Sequence, residues 1–417
     1  MTPRFSAFAV YLIGLGSWFV PLGIQMVLFS WLAAIVLRMD AFAVGIAQVA
    51  LMAPGILFLP LGGLVADRGN ARRLLLRYHF FYAVPPLVLA LVLAADGLSY
   101  PLLIAYGLAA GSIGAFAVPT RDALLPTVAQ GNLPRAVALA TALQFAGQLI
   151  GIAGASQADR LGAVPLLVVQ AALVLLGAIA VWRLPNPPPH PPVQHPSFWR
   201  SIADGIAEAA RSEQMWPVLL LNFGIGVFYV GPFMAVLPLV VRDIYGGGAA
   251  ELAYVNLAFW AGTIVAAFAF AGLARHLTRR GRLVVGAVSW GSVILLCMAL
   301  QPPFWLLNAL CFTWGLGAGI TLTQGRTVLQ IVAPPTHRAR LMSLFQLGLG
   351  GGGPIGAFIA GSLAAIWGLK LAMILPALAM AVLIGFVLIY SRIWTMRTVE
   401  RAAAAKGRPP GTSDQAT

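Results

Sequence analysis

The chain has twelve acidic residues among 417, and none lies near the middle of an apolar run. Two of them stand in an arginine-rich setting. Asp67 is followed by Arg68, Arg72 and Arg73, and Asp122 directly follows Arg121. Carboxylates and guanidiniums at the ends of apolar helices can pair and release as elements move, or exchange a proton as their surroundings change. Asp67 falls at the C-terminal end of its expected helix, where the dipole disfavours a carboxylate unless cations compensate. Arg68, Arg72, Arg73 and Arg121 are placed to compensate, and with Asp67 and Arg326 they form the gating candidates. Asp122 is the proton-coupling candidate. The competing reading is that the arginines only set topology and the two acids are solvated or structural. Bond-making chemistry has less support. The chain has no His-Glu-x-x-His, no G-x-x-x-x-G-K-[ST], no G-x-S-x-G and no Cys/His cluster, so no metal, cofactor or enzymatic activity is expected.

A second group consists of polar and aromatic residues inside apolar runs. Trp18 and Gln25 share a helical face with Gly14 and Pro21; Asn222 and Tyr229 share one with Gly226 and Phe233. Thr141, Gln144 and Gln148 follow at i, i+3 and i+7, and Tyr106, Asn256, Trp260, Asn308, Trp314, Gln324 and Gln346 complete the set. A buried amide in lipid is unfavourable without a partner, so these side chains should face protein or water. They are candidates for contacting a small molecule. Interhelical hydrogen bonding for the amides, and packing or interface anchoring for Trp and Tyr, are the alternatives.

The elements that carry them are twelve hydrophobic stretches at 8–36, 41–65, 78–95, 100–119, 136–155, 162–181, 215–241, 251–274, 283–300, 304–323, 341–366 and 371–391. A helix crosses a hydrocarbon core in about 20 residues, and most of the stretches reach that length. Of the 26 Lys and Arg residues, all but Arg38, Arg160, Arg242 and Lys370 fall on the termini and alternate gaps. By the positive-inside rule both termini are cytoplasmic, as expected for a bacterial inner-membrane protein. A hydrophobic fraction of 60% with 9% charged residues excludes an ordinary soluble domain. The formal charge of +14 is dispersed over short loops rather than gathered on a basic face, so no nucleic-acid partner is expected. Arg4 precedes a run too long for a signal-peptide core, so that run is expected to remain as the first span. Cys297 and Cys311 both lie in apolar runs, which gives no disulfide framework.

The second half repeats the first. Ile13–Val20 matches Phe223–Val230 in size and order, Gly62–Arg68 corresponds to Ala271–His276, and Arg121 aligns with Arg326. His276 replaces the acid, so any charge lock is asymmetric. The implied organisation is a six-helix bundle over 1–184, a linker over 185–214, a second bundle over 215–395 and a disordered tail over 396–417. The linker opens with a proline-rich stretch that disfavours helix, in which His190 and His195 are read as solvated residues. An amphipathic helix follows over 197–213, with Phe198, Ile202, Ile206 and Ala209 on one face, expected to lie along the membrane surface. Gly107-x-x-x-Gly111 and Gly147-x-x-x-Gly151 predict close helix packing.

Gly63-Leu64-Val65-Ala66-Asp67-Arg68-Gly69-Asn70-Ala71-Arg72-Arg73 resembles the signature loop of the major facilitator superfamily. Gly63, Ala66, Asp67, Arg68 and Arg72 are in register, while Asn70 and Ala71 depart from it. Asn tolerates the left-handed turn that a glycine would supply, so that turn is expected to persist at Asn70. Pro119–Val128 with Leu133–Ala136, and Gly353–Gly356, are similar to the exporter branch that contains siderophore exporters and macrolide-efflux-like proteins. The fifth stretch lacks the proline of the antiporter motif, and the fourth lacks the buried arginine of some drug–proton antiporters.

The resemblance implies an all-α integral membrane protein, twelve transmembrane helices in two pseudo-symmetric six-helix bundles, with substrate held between the bundles. It implies a monomeric secondary transporter that exports an amphipathic small molecule such as a drug-like compound or a siderophore, with protons as coupling ion and lipids as surroundings. A pathway without fixed negative charge suits a neutral, amphipathic or anionic cargo better than a compact cation. On this view Trp18, Gln25, Tyr106, Gln144, Gln148, Asn222, Tyr229, Asn256, Trp260, Trp314 and Gln346 are the substrate-binding candidates. An importer or facilitator of a neutral metabolite, or a lipid-handling protein such as a scramblase, stands as the alternative.

Overall fold

Runs of apolar residues without charge leave their amides no water to bond, so each run must satisfy its own backbone as a helix. The computed structural model describes residues 6–129, 132–186, 198–272, 279–334 and 338–394. The helices there are α1 (Ala7–Trp31), α2 (Ala41–Arg68), α3 (Ala71–Ala94), α4 (Tyr100–Val128), α5 (Leu133–Ala155), α6 (Ala158–Leu161) and α7 (Ala163–Trp182), then α8 (Phe198–Arg211), α9 (Met215–Ile225), α10 (Leu237–Asp243), α11 (Ala249–Gly272), α12 (Arg280–Met298), α13 (Phe304–Val332) and α14 (Arg338–Tyr390). A π-helical turn at Leu32–Val36 extends α1, and two more, Gly226–Val230 and Pro232–Val236, join α9 to α10.

Eleven helical segments are long and apolar enough to span a bilayer, and the last, Arg340–Tyr390, is 51 residues long. That is about twice a bilayer crossing. Gly368, at φ 81° and ψ 168°, breaks α14 in two, a geometry that favours glycine. The crossings therefore number twelve among the described residues. Side-chain caps start four of the helices: Ser6, Asp40, Asn70 and Asn132 accept from Ala9, Ala43, Arg73 and Arg135 amides at 2.7–3.2 Å. Asn70 does not take the expected left-handed turn. It is extended, at φ −78° and ψ 103°, because capping α3 requires that backbone.

Packing within each half follows one scheme. α2 lies along α4 and α1 along α5 in the first half; α11 lies along α13, and the π-turn segment along α14, in the second. Glycines set the closeness. A methyl at Gly151 would overlap the Val20 carbonyl, and one at Gly315 would overlap the Phe259 carbonyl. α8 docks against the start of α14, where Ala209 is buried and Asp204 pairs with Arg340 at 3.4 Å, while Ile206 stays exposed. Segment 396–417, His190, His195 and His276 lie outside the described residues, as does the side chain of Asp67.

The contacts between the halves run from the helix ends remote from the arginine-rich loops to the middle of α5 and α11. Phe42 meets Phe358 edge-on at 5.9 Å, Gly45 lies against Ala357 and Gly361, and Phe145 meets Trp260 at 6.3 Å. Two helix ends are capped across this seam. Gly248, which precedes α11, has no side chain to cap it, and the Asp159 carboxylate of the first half accepts from the Ala250 amide at 3.1 Å. A methyl at Gly248 would overlap that carboxylate. Its other oxygen accepts from Trp31 Nε1 at 2.9 Å. In the opposite sense, Arg242 of the second half donates through Nη1 to the carbonyls of Ala34 and Met39, at 2.7 and 2.8 Å, where the first crossing ends. Asp243 holds the same guanidinium from behind at 2.5 and 2.9 Å. An anion on a helix N-terminus and a cation on a C-terminus both oppose the macrodipole.

Asp159→Ala should remove about 1 kcal/mol from this closure, a roughly fivefold shift toward separated halves. Double electron–electron resonance between nitroxides at positions 38 and 370 checks this: a distance distribution identical to that of the unsubstituted protein would deny the contact any role in closure.

Candidate functional site

On the arginine-rich side of the seam lies a cavity of about 400 Å³. Apart from Met52 of α2, its walls come from the second half: Asn222 and Ile225 of α9, Tyr229 and Phe233 from the two π-helical turns, Phe259, Trp260 and Thr263 of α11, Trp314 and Thr321 of α13, and Gln346 of α14. The π turns have a local cause. Gly231 is pressed on Gly356 so closely that a methyl would overlap its backbone, and Pro232 has no amide to donate. Such widened turns change the direction of side chains and recur at functional sites.

The aromatic wall is organised around Trp314. Tyr229, Phe233 and Phe259 stand edge-on to it at 6.0, 5.7 and 5.9 Å, and Phe259 meets Trp260 at 5.7 Å. Edge-to-face contact sets the positive rim of one ring on the negative face of another and holds each at a fixed angle. Tyr229 is fixed further, its hydroxyl 2.5 Å from the Val288 carbonyl and 2.7 Å from Ser292 Oγ. The residues lining the cavity include no Asp, Glu, Lys, Arg or His. Two polar atoms of lining residues are buried without a partner: Trp260 Nε1, a donor, and Asn222 Oδ1, an acceptor. Asn222 spends its amide nitrogen on the Phe345 carbonyl at 2.6 Å. A buried polar atom without a partner is unfavourable, and both belong to residues that line the cavity.

Five sequence candidates thus meet at one cavity: Asn222, Tyr229, Trp260, Trp314 and Gln346. The first-half candidates form a different structure. Gln25 accepts from Tyr82 at 2.5 Å and from Gln170 at 3.3 Å, and Gln170 also reaches Tyr106 at 3.3 Å. Trp18 packs on Tyr82 and His79, and Gln148 donates to Met26 Sδ at 2.9 Å. These side chains are buried inside the first bundle. Gln144 is half-buried with no hydrogen bond among the described residues, and Asn256 bonds back to its own helix at Leu252. Gln324 accepts from Arg280 at 2.8 Å and Asn308 bonds to Phe304.

The charged candidates are dispersed. Arg72 bonds Asn186 at 2.9 Å and the Trp182 carbonyl, tying α3 to the end of α7. Arg68 and Arg73 are exposed. Arg326 donates to Gln346 at 2.8 Å, which puts it one residue behind the cavity wall. Arg121 lies over the Phe19 ring at 4.8 Å and pairs with its neighbour Asp122 at 3.3 Å; Asp122 is itself 65% exposed. The Arg121 side chain is only 12% exposed, so the pair reaches solvent through Asp122 alone. Sequence reasoning missed Asp159, Arg242, His79 and Gln170. Arg242 did carry a signal, as one of the few cations on the arginine-poor side.

Gln25→Leu should strand the Tyr82 hydroxyl inside the first bundle and leave Gln170 with Tyr106 alone, lowering stability by about 1–3 kcal/mol. Gln144→Leu, which breaks no hydrogen bond, should change it little. Thermal unfolding in detergent compares the two, and equal midpoints would contradict the network's role.

Known proteins place this architecture. Residues 6–414 match the transmembrane secretion effector family. The chain is 26% identical over 384 residues to the multidrug efflux pump Tap of Mycolicibacterium fortuitum, covering 87% of this chain and 91% of that one. Its fold is similar to the crystal structure of nucleoside transporter NupG, with TM-score 0.74 and 14% identity over 93% of this chain and 99% of that one. It is also similar to a bacterial homolog of the human lysosomal transporter Spinster in its inward-facing, unoccupied conformation, with TM-score 0.70 and 14% identity over 95% and 98%. The twelve-helix expectation and the facilitator resemblance therefore hold, and the protein is a multi-pass membrane transporter. The chain belongs to the transmembrane secretion effector family of the major facilitator superfamily.

Proposed function

We propose that this protein exports an amphipathic, aromatic small molecule across a bacterial inner membrane by alternating access, driven by protons, with its arginine-rich face in the cytoplasm. The observation that carries the reading is the aromatic cavity of about 400 Å³ on the arginine-rich side of a closed seam. Its volume falls within the range of about 300–1,000 Å³ typical of small-molecule sites. With the arginines inside by charge bias, the cavity lies on the cytoplasmic side of the closure, where an exporter collects its cargo. The likeness to a multidrug efflux pump supports the same direction.

The walls define the cargo's chemistry. Aromatic edges and faces accept a flat apolar body, and the absence of lining acids gives no fixed partner to a compact cation. Trp260 Nε1 asks for an acceptor on the ligand, and Asn222 Oδ1 for a donor. Opening the seam would separate the helix caps at Asp159 and Arg242 and carry the cavity to the other side. Asp67, Arg68, Arg72, Arg73, Arg121 and Arg326 would close the arginine-rich face in that second state.

Purified protein in proteoliposomes tests this with chloramphenicol, erythromycin and ethidium as probes. Movement of at least one of them from the arginine-rich side, against its gradient under an imposed pH difference, is the expected result. If none moves while nucleosides or sugars do, the protein is an importer or facilitator of polar metabolites. Trp260→Phe keeps the ring and removes the donor. It should raise KM for an acceptor-bearing cargo about tenfold with kcat little changed; an unaltered KM would place the cargo elsewhere.

A further inference from the structure

The first bundle contains a buried titratable group that the cargo cavity does not use. His79 of α3 is 1% exposed. Its Nδ1 lies 2.8 Å from the Leu75 carbonyl oxygen. A carbonyl can only accept, so Nδ1 carries the hydrogen and Nε2 presents its lone pair. That Nε2 is buried and makes no hydrogen bond of regular geometry, with the Gly14 backbone close to the ring. His79 also lines a cavity of about 10 Å³, shared with Tyr11, Gly14, Trp18, Arg121 and Val181 among others, which has room for one water molecule. The ring is closely packed on its α7 side: a methyl on Gly177 would come within 3.0 Å of the His79 ring and overlap Ser17 Oγ.

From this geometry we infer that His79 Nε2 is the proton-binding site of the transporter, and that its occupancy is coupled to the position of Arg121. The inference rests on the proton-driven export reading. The elements around the ring bring few other ionisable groups. α1 contributes the Tyr11 hydroxyl, α4 contributes Arg121, α3 contributes Tyr82 one turn on, and the nearby α7 residues, Val181 at the cavity and Gly177 against the ring, carry none. Taking a proton on Nε2 makes an imidazolium that keeps its Nδ1–H on Leu75 and places a second positive charge beside the Arg121 guanidinium. Two like charges around a cavity of one water repel strongly in a low-dielectric interior. Either the proton leaves or Arg121 does. Arg121 is held by the Phe19 face and by Asp122 at the arginine-rich end of α4, so its departure moves a residue of the gating set. The Tyr11 hydroxyl, 3.4 Å from the Arg121 carbonyl, ties α1 to the same point. This separates the tasks: the second half holds the cargo and the first half holds the proton.

Two measurements decide it. In histidine-15N-labelled protein in liposomes, the resonance lost in His79→Gln should show one protonated and one bare nitrogen at high pH, and two protonated nitrogens as pH falls while the protein stays folded. A bare Nε2 down to the pH of unfolding overturns the inference without touching export. In the second measurement, a pH difference across the membrane drives chloramphenicol accumulation with the membrane potential clamped, an uncharged probe being indifferent to potential. His79→Gln should lose the pH-driven gradient but keep exchange at equal pH within about twofold of wild type. A gradient retained in His79→Gln removes His79 from coupling. A wild-type protein that exchanges the probe but builds no gradient overturns the proton-driven reading itself, and this inference with it.

Discussion

Water is excluded from the core of the bilayer, and every polar group placed there must find its partner within the protein. The backbone answers by forming helices throughout, and the helices approach closely only where glycine removes the side chain between them, as at Gly151 on Val20 and Gly315 on Phe259. Buried amides and hydroxyls answer by bonding to one another, as Gln25, Tyr82, Gln170 and Tyr106 do inside the first bundle. Against that background, a polar atom left unpaired is informative. Trp260 Nε1, Asn222 Oδ1 and His79 Nε2 are such atoms, and each belongs to a residue lining a cavity.

The two halves share a packing scheme yet differ in their interiors. In the first, α1, α3, α4 and α7 enclose a hydrogen-bonded core with space for a single water. In the second, the π-helical turns between α9 and α10 splay Tyr229 and Phe233 apart from a regular helical face, and an aromatic cavity results. The repeat supplies two scaffolds of one design. Divergence at a few positions then gives one scaffold a cargo-sized space and leaves the other closely packed.

Closure between the halves combines apolar packing, as of Phe42 on Phe358 and Gly45 on Gly361, with two polar contacts at helix ends. Helix ends carry unsatisfied amides and carbonyls that must bond to something. Here the N-terminus of α11 takes its carboxylate from Asp159, and the end of the first crossing takes its guanidinium from Arg242, each from the opposite half. Water can replace such bonds at the membrane boundary, whereas parting α2 from α14 also uncovers apolar surface.

The sequence by itself determined the class, the number of crossings, the repeat and the family, because each depends on patterns that recur along the chain: length of apolar runs, alternation of arginines, and a short loop signature. It also named Asn222, Tyr229, Trp260, Trp314 and Gln346, which line the large cavity, since an amide, phenol or indole inside an apolar run is conspicuous wherever it points. Tertiary structure decided their grouping. Trp18 and Gln25 share a face as neatly as Asn222 and Tyr229 do, yet only the latter pair reaches the large cavity, because π-helical turns alter the register of one segment and tight glycine contacts seal the other. Asn70 was legible as a turn residue but not as a cap, which depends on where the next helix begins. Asp159 looked like an ordinary loop acid, and His79 like one polar residue among apolar neighbours. Their partners, Ala250 and Trp31 in one case and Leu75 and the Arg121 cavity in the other, are set by packing between segments that sequence distance does not reveal.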